Sequence, residues 1–168
     1  LETEAQLLFE QYGGFGRGFQ RQWYRIDRES GERAATRYGG AGKFGTGANM
    51  AYRRSLFERI GGFDPALDVG TVTNGGGDLE MFFRVLQEGY TLVYEPSALV
   101  RHRHRRDYAQ LRVQITDFGV GFHAYLVRSA IAYPHQRFAI ACFGLWWLWR
   151  RSIRRLLLSF IHPRPMAR

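Results

Sequence analysis

Glycine and proline divide the stretch between Ser55 and His102 into pieces that fit only short helices and short strands: Gly61-Gly62, Pro65, Gly75–Gly77, Gly89 and Pro96 each interrupt it. Ser55-Leu-Phe-Glu58 has the spacing of a capping box, with Gly61-Gly62 closing the short helix it would start. Phe63-Asp64-Pro65 reads as a turn and Thr71 to Gly77 as a loop. Asp78 then opens a second helix, in which Leu79, Phe83 and Leu86 repeat at helical spacing until Gly89 stops it. Tyr90 to Glu95 alternates as a strand does, Pro96 ends it, and Ala98 to His102 reads as another short extended piece.

The flanks are simpler. Leu1 to Phe9 fits a short helix that Gly13, Gly14, Gly16 and Gly18 terminate. That glycine run could be taken for a phosphate cradle, but no apolar strand leads into it and no Gly-Lys-Ser/Thr follows, so a plain loop is the favoured reading. Ser30 to Lys43 is polar and glycine-rich, as a surface connection would be. Tyr108 to Tyr133 reads as helix with a break around Gly119 and Gly121. Phe138 to Trp149 is almost wholly apolar, yet shorter than the ~20 residues that cross a bilayer. It runs into Arg150, Arg151, Arg154 and Arg155. As a helix it would carry Leu145, Trp149, Ile153, Leu156 and Phe160 on one face and those arginines on the other. An amphipathic helix of this kind either covers its own core or lies in a membrane interface, and the tryptophans beside the arginines favour the interface.

Composition bounds the function classes. With 168 residues, 45% of them hydrophobic and 15% aromatic, the chain can bury one compact core and is not disordered. It carries a net charge of +9, and Lys43 is the one lysine among 24 basic residues. Arginine forks suit phosphates, so nucleic acid, diphosphate donors and anionic lipid all fit the charge, as does a plain compositional bias toward arginine. Cys142 is alone and cannot close an internal disulfide, which fits a reducing compartment. Because the chain starts at Leu1 and has no methionine before Met50, it reads as a fragment.

Four features could carry chemistry: the loop Gly45–Asn49, the pair Arg53-Arg54, Asp78, and the run Arg101–Arg106. Each also has a plainer reading. Asp is a preferred residue at a helix start, and the helix dipole favours its anionic form, which a general base requires. His102 and His104 are two apart, on one side of an extended segment, where one could ligate a metal or both could belong to a solvated basic run. Gly45, Gly47 and Ala48 would let backbone approach a ligand, or merely form a turn.

Together, GTGANMAYRRSLFERIGGFDPAL from Gly45 and GGGDLEMFFRVLQEGYTLVYEPSALVRHRHR from Gly75 resemble the C-terminal half of family-2 glycosyltransferases and the related galactosyltransferase C-terminal region. The match is strong from Gly45 to Arg105. The resemblance implies an α/β fold: a partial GT-A, nucleotide-diphospho-sugar transferase-like domain lacking its N-terminal Rossmann-like half, followed by amphipathic C-terminal helices. Its parts would be residues 1–43, the acceptor- and base-carrying residues 44–106, and a helical region 107–168.

The resemblance further implies site residues. Gly47, Asn49 and Arg53 match positions lining the donor-sugar and acceptor site. Asp78 matches the general base, the second member of an acidic pair whose first member here is Gly77; Glu80 could partly replace the missing carboxylate. His102 closes the pattern Pro-x-Ala-x-Val-x-His and matches a histidine that completes a divalent metal site, Mg²⁺ or Mn²⁺. The implied enzyme is an inverting hexosyltransferase-type glycosyltransferase using a nucleotide-sugar donor and a glycan or lipid-linked acceptor. It would be cytoplasmic, peripheral on the anionic inner leaflet of the plasma membrane, with no nucleic-acid partner. No Asp-x-Asp occurs in the chain, so donor binding would need a further half and the chain alone would be inactive. The competing expectations are an arginine-rich nucleic-acid-binding module and a non-catalytic peripheral membrane protein.

Overall fold

A computed structural model describes residues 2–12, 14–26 and 41–150 of the chain. They form α1 (Glu4–Tyr12), β1 (Gln22–Tyr24), α2 (Arg54–Ile60), α3 (Gly77–Gln87), β2 (Leu92–Tyr94), α4 (Tyr108–Ala132) and α5 (Arg137–Leu148), with 3₁₀ turns at Pro65–Leu67 and Pro134–Gln136. Among the described residues the sheet is one antiparallel pair, β1 against β2, with Trp23 opposite Val93. The remaining regular structure is helical, and α4 is its axis: α1, α3 and α5 all pack on it.

α4 runs unbroken for 25 residues, so the expected interruption at Gly119 and Gly121 is corrected. Asp107 caps its start, accepting the Gln110 N–H at 2.8 Å, and Tyr133-Pro134 ends it. Gly121 answers to packing instead. A Cβ there would lie 2.7 Å from the Gly75 carbonyl carbon, and one on Gly76, whose φ is +103°, would lie 2.3 Å from the Gly121 oxygen. Backbone meets backbone at this crossing, which only glycine on both sides permits.

The main core joins Phe83 of α3, Tyr125 and Leu126 of α4, and Ile140 and Phe143 of α5, together with Ala41. Full burial of Ala41 and the helical state of residues 41–44 correct the expected surface connection at its Lys43 end; residues 30–40 lie outside the described residues. Phe83 meets Tyr125 edge-on at 5.9 Å, and Phe122 lies 4.6 Å from Trp147 across α4 and α5. A second cluster holds α1 to α4 through Ala5, Phe9 and Leu111. A third, of Leu56, Met81 and Val85, covers the other side of α3. Covered on both sides, α3 is the most enclosed element, and its polar residues must find partners within the fold.

Two further expectations are corrected. The capping box at Ser55 does not form, because α2 begins two residues earlier than a cap at Ser55 would require: Arg53 is the N-cap and makes no side-chain capping bond, while Ser55 is already helical and exposed. Gly61, at φ +80°, does end the helix. Ala98 to His102 is not a strand. After Pro96 the Ala98 and Leu99 N–H groups donate to Glu95 and Ser97, leaving no ladder for a neighbour to extend. The helical face expected through Ile153, Leu156 and Phe160 lies outside the described residues. No described helix is long and apolar enough to cross a membrane.

Asp64 ties the 3₁₀ turn to α4. One oxygen accepts the Ala66 N–H at 3.0 Å and the other pairs with the Arg128 guanidinium. That Arg128 hydrogen bond, seconded by Ala66, holds the Asp64 carboxyl below its ordinary value. A depressed carboxyl stabilises the fold fully above its unfolded value of about 3.9, and the contribution disappears as pH falls through the lower folded value. Asp64→Asn should therefore flatten the acid limb of a stability-against-pH curve below about pH 4. Thermal unfolding of both proteins from pH 2 to 7 checks this. Urea titration should also show Gly121→Ala destabilising by about 1–3 kcal/mol through overpacking, whereas Gly119→Ala, where a Cβ meets nothing within 4 Å, stabilises by about 0.5–1 kcal/mol.

Candidate active site

The loop Gly45–Asn49 is a tight turn closed by a Thr46–Asn49 bridge, in which Asn49 N–H donates to Thr46 O at 3.1 Å. Two bonds fasten it to the rest of the molecule. Gly47 N–H donates to Asp78 Oδ2 at 2.9 Å, and Asn49 Nδ2 donates to Ala98 O at 2.6 Å. The loop thereby connects the start of α3 with the turn that leaves β2. Separate stretches of the sequence motif meet here.

Asp78 is half-buried in the first turn of α3. The helix starts at Gly77 with Gly76 as N-cap, so Asp78 follows the cap instead of being it. Its Oδ1 accepts the Leu79 N–H at 2.9 Å while Oδ2 takes Gly47, which fixes the carboxylate plane from two directions. Gly47 permits this approach: a Cβ on it would sit 3.1 Å from both the Cβ and Oδ2 of Asp78. Asn49 and Arg53 are exposed, Asn49 facing Ala98 and Arg53 standing at the start of α2.

Glu80 has a different position from the one expected of a substrate contact. It is 2% exposed, and both its oxygens are taken by Arg84 one helical turn on, with Arg84 Nε donating to Oε1 at 2.9 Å. The same guanidinium donates through Nη1 to the carbonyls of Ile60 and Gly62, at 2.8 and 2.9 Å. Burial opposes the Arg84 charge, but the Glu80 carboxylate outweighs it and raises the guanidinium above its already high ordinary value. The pair thus clamps the end of α2 to α3.

Tyr52, which the sequence did not single out, lies against Phe57 and Phe63 near this clamp. Burial first, then the charges of Asp78 and Glu80, push its phenol above the ordinary range. Its hydroxyl is buried without a hydrogen-bond partner among the described residues.

His102 is exposed, its ring edge against Phe15 at 5.1 Å. The more enclosed histidine is His104. Its Nε2 lies 2.8 Å from Glu10 Oε1, its ring rests on Phe9 at 4.4 Å, and its backbone oxygen accepts from Gln6. A cavity of about 360 Å³ opens beside these residues, lined by Glu2, Gln6, Arg101, His102, Arg103 and His104; Asp78 is not among its walls. Among the described residues no three His, Cys, Asp or Glu side chains gather into a set that could hold a metal ion. The divalent cation implied by the resemblance finds one ligand here, His102, so these residues do not by themselves fit it. The alternation in Arg101–Arg106 marked both histidines, but nothing in it told which would be anchored by α1.

The chain is 39% identical over 74 residues to the O-antigen chain rhamnosyltransferase WbaN of Salmonella anatum, a match covering 44% of this chain and 21% of that protein. The matched 74 residues are glycosyltransferase-like. The match spans about a fifth of that relative's length. No protein-family model matches the chain, and no solved structure does.

Truncating one partner of a buried ion pair leaves the other unpaired. Glu80→Ala should therefore lower the unfolding free energy by about 3–5 kcal/mol. Chemical denaturation decides between the roles: a loss within the ~0.5 kcal/mol typical of surface sites would return Glu80 to ligand contact.

Proposed function

We propose that this chain is the acceptor-side, base-carrying part of an inverting, family-2 glycosyltransferase of the GT-A type. The reading rests on the Asp78 carboxylate, held by Gly47 N–H at the start of α3, with the similarity to a rhamnosyltransferase beside it. Two backbone donors fix the carboxylate's direction, and its partial exposure leaves it open to an acceptor hydroxyl. A base acts only within hydrogen-bond reach of the proton it removes, so a fixed carboxylate on a glycine-thin wall suits the task.

Asp78 takes the proton of the acceptor hydroxyl as its oxygen attacks the anomeric carbon. The bond from that carbon to the nucleoside diphosphate breaks, and the electron pair leaves with the diphosphate, inverting the configuration. Gly47 keeps the loop close enough for the carboxylate to stay aimed, and Asn49 holds the loop against the β2 turn. His102 would be this side's contribution to a divalent-cation site, whose other ligands would have to come from a nucleotide-binding half, and a cation held there would offset the charge of a leaving diphosphate. Arg53, exposed at the start of α2, is the residue on this side suited to an anionic donor or acceptor group. The named relative makes a nucleotide-activated rhamnose the first donor to test.

Asp78→Asn keeps the shape of the side chain and removes the base. In the complete enzyme, joined to its nucleotide-binding half, kcat/KM should fall by about 10²–10⁴ while circular dichroism shows the enzyme still folded. A folded Asp78→Asn enzyme with more than about a tenth of the parent rate would reduce Asp78 to a helix-start residue and end this reading.

A further inference from the structure

We infer that the outward face of α5 is a docking surface for an anionic lipid bilayer. This surface is independent of the Asp78 chemistry. The inner face of α5 is spent on the core, where Ile140 and Phe143 are buried and Trp147 packs on Phe122. A helix of a water-soluble domain then turns polar residues outward. α5 does not: from Phe138 to Trp149 there is no charged or hydrogen-bonding polar side chain except the indoles. Phe138 is 83% exposed, Leu145 68%, and Trp146 and Trp149 52% each. At 100° per residue, Phe138, Cys142, Leu145 and Trp149 form one stripe opposite the buried pair.

Charge selects the occupant. Arg150 follows the stripe in the chain and flanks it, its guanidinium 5.7 Å from the centre of the Trp146 ring, and Arg151, Arg154 and Arg155 come next in the sequence. Indole with arginine at the end of an apolar stripe suits the level of lipid headgroups, where the ring sits among acyl chains and the guanidinium meets phosphate. A second copy of the chain would bring another +9 against the first, whereas an anionic surface is complementary to it. The apolar run is too short to span, so α5 lies in the plane of the interface.

Vesicle co-sedimentation of the full chain tests this, comparing phosphatidylcholine with phosphatidylcholine–phosphatidylglycerol vesicles. The expected result is partition into the anionic vesicles, weakened by salt, and a drop of at least about tenfold for Leu145→Glu, a substitution at an exposed position that circular dichroism should show folded. A second readout uses Cys142, the single cysteine, on the same face: an environment-sensitive fluorophore there should shift to the blue on anionic vesicles. Binding that Leu145→Glu leaves unchanged, or that salt abolishes with no fluorophore shift, would assign the attraction to arginines alone and overturn the proposal. So would a dimer that buries this face and ignores vesicles.

Discussion

The contact between the α4 backbone at Gly121 and the loop at Gly75-Gly76 sets where α3 can begin. With a side chain on either partner the helix would stand off the loop, and the first turn of α3 would move with it. Asp78 belongs to that turn, so its position depends on three glycines that carry no chemistry: Gly76 and Gly121 at the crossing, and Gly47 beneath the carboxylate. The Glu80–Arg84 pair completes the restraint from the other side by binding α3 to the carbonyls that end α2. Backbone crossing and buried ion pair together leave α3 little freedom to rotate.

This arrangement explains why Glu80 and Asp78, two positions apart, behave so differently. Residues two apart on a helix point roughly 200° from one another. With one face of α3 turned to the Gly45–Asn49 loop, the Glu80 side turns toward the end of α2, where Arg84 meets the Ile60 and Gly62 carbonyls. A carboxylate sent that way needs a cation, and Arg84 on the next turn is the nearest that the helix can supply. The sequence shows Glu80 and Arg84 at i,i+4, but that spacing is the same on a wet surface as in a core.

Legibility follows how local each signal is. Helix stops at Gly61 and Gly89, the turn at Asp64-Pro65 and the strand before Pro96 depend on residues within a turn of themselves, and they were readable. The unbroken course of α4 was not, because Gly119 and Gly121 look alike as helix-weakening residues while only Gly121 has a neighbour demanding its size. Ser55 misled for a related reason: a capping box is a pattern of four residues, whereas α2 starts at Arg54 with Leu56 and Ile60 packed against Met81 and Val85 from elsewhere in the chain. At the site, the segments carrying Gly47, Asn49 and Asp78 were foreseeable as a set through resemblance. Their join through Gly47 N–H and Ala98 O needed the fold, as did the preference of α1 for His104 over His102.

α5 shows the limit of periodicity from the opposite direction. Amphipathic patterns reveal a helix's buried side only when the other side is polar. Here Ile140, Phe143 and Trp147 face inward and Phe138, Leu145 and Trp149 outward, so the pattern has almost no direction. An exposed apolar face of that kind is unfavourable in water by about 25 cal/mol for each Å² left uncovered. A single exposed leucine needs no explanation, but a stripe of large apolar side chains with tryptophan in it and arginine beside it does. The asymmetry of α5 is thus fixed by what α4 covers, and the outward side is identified only after the core has claimed the inward one.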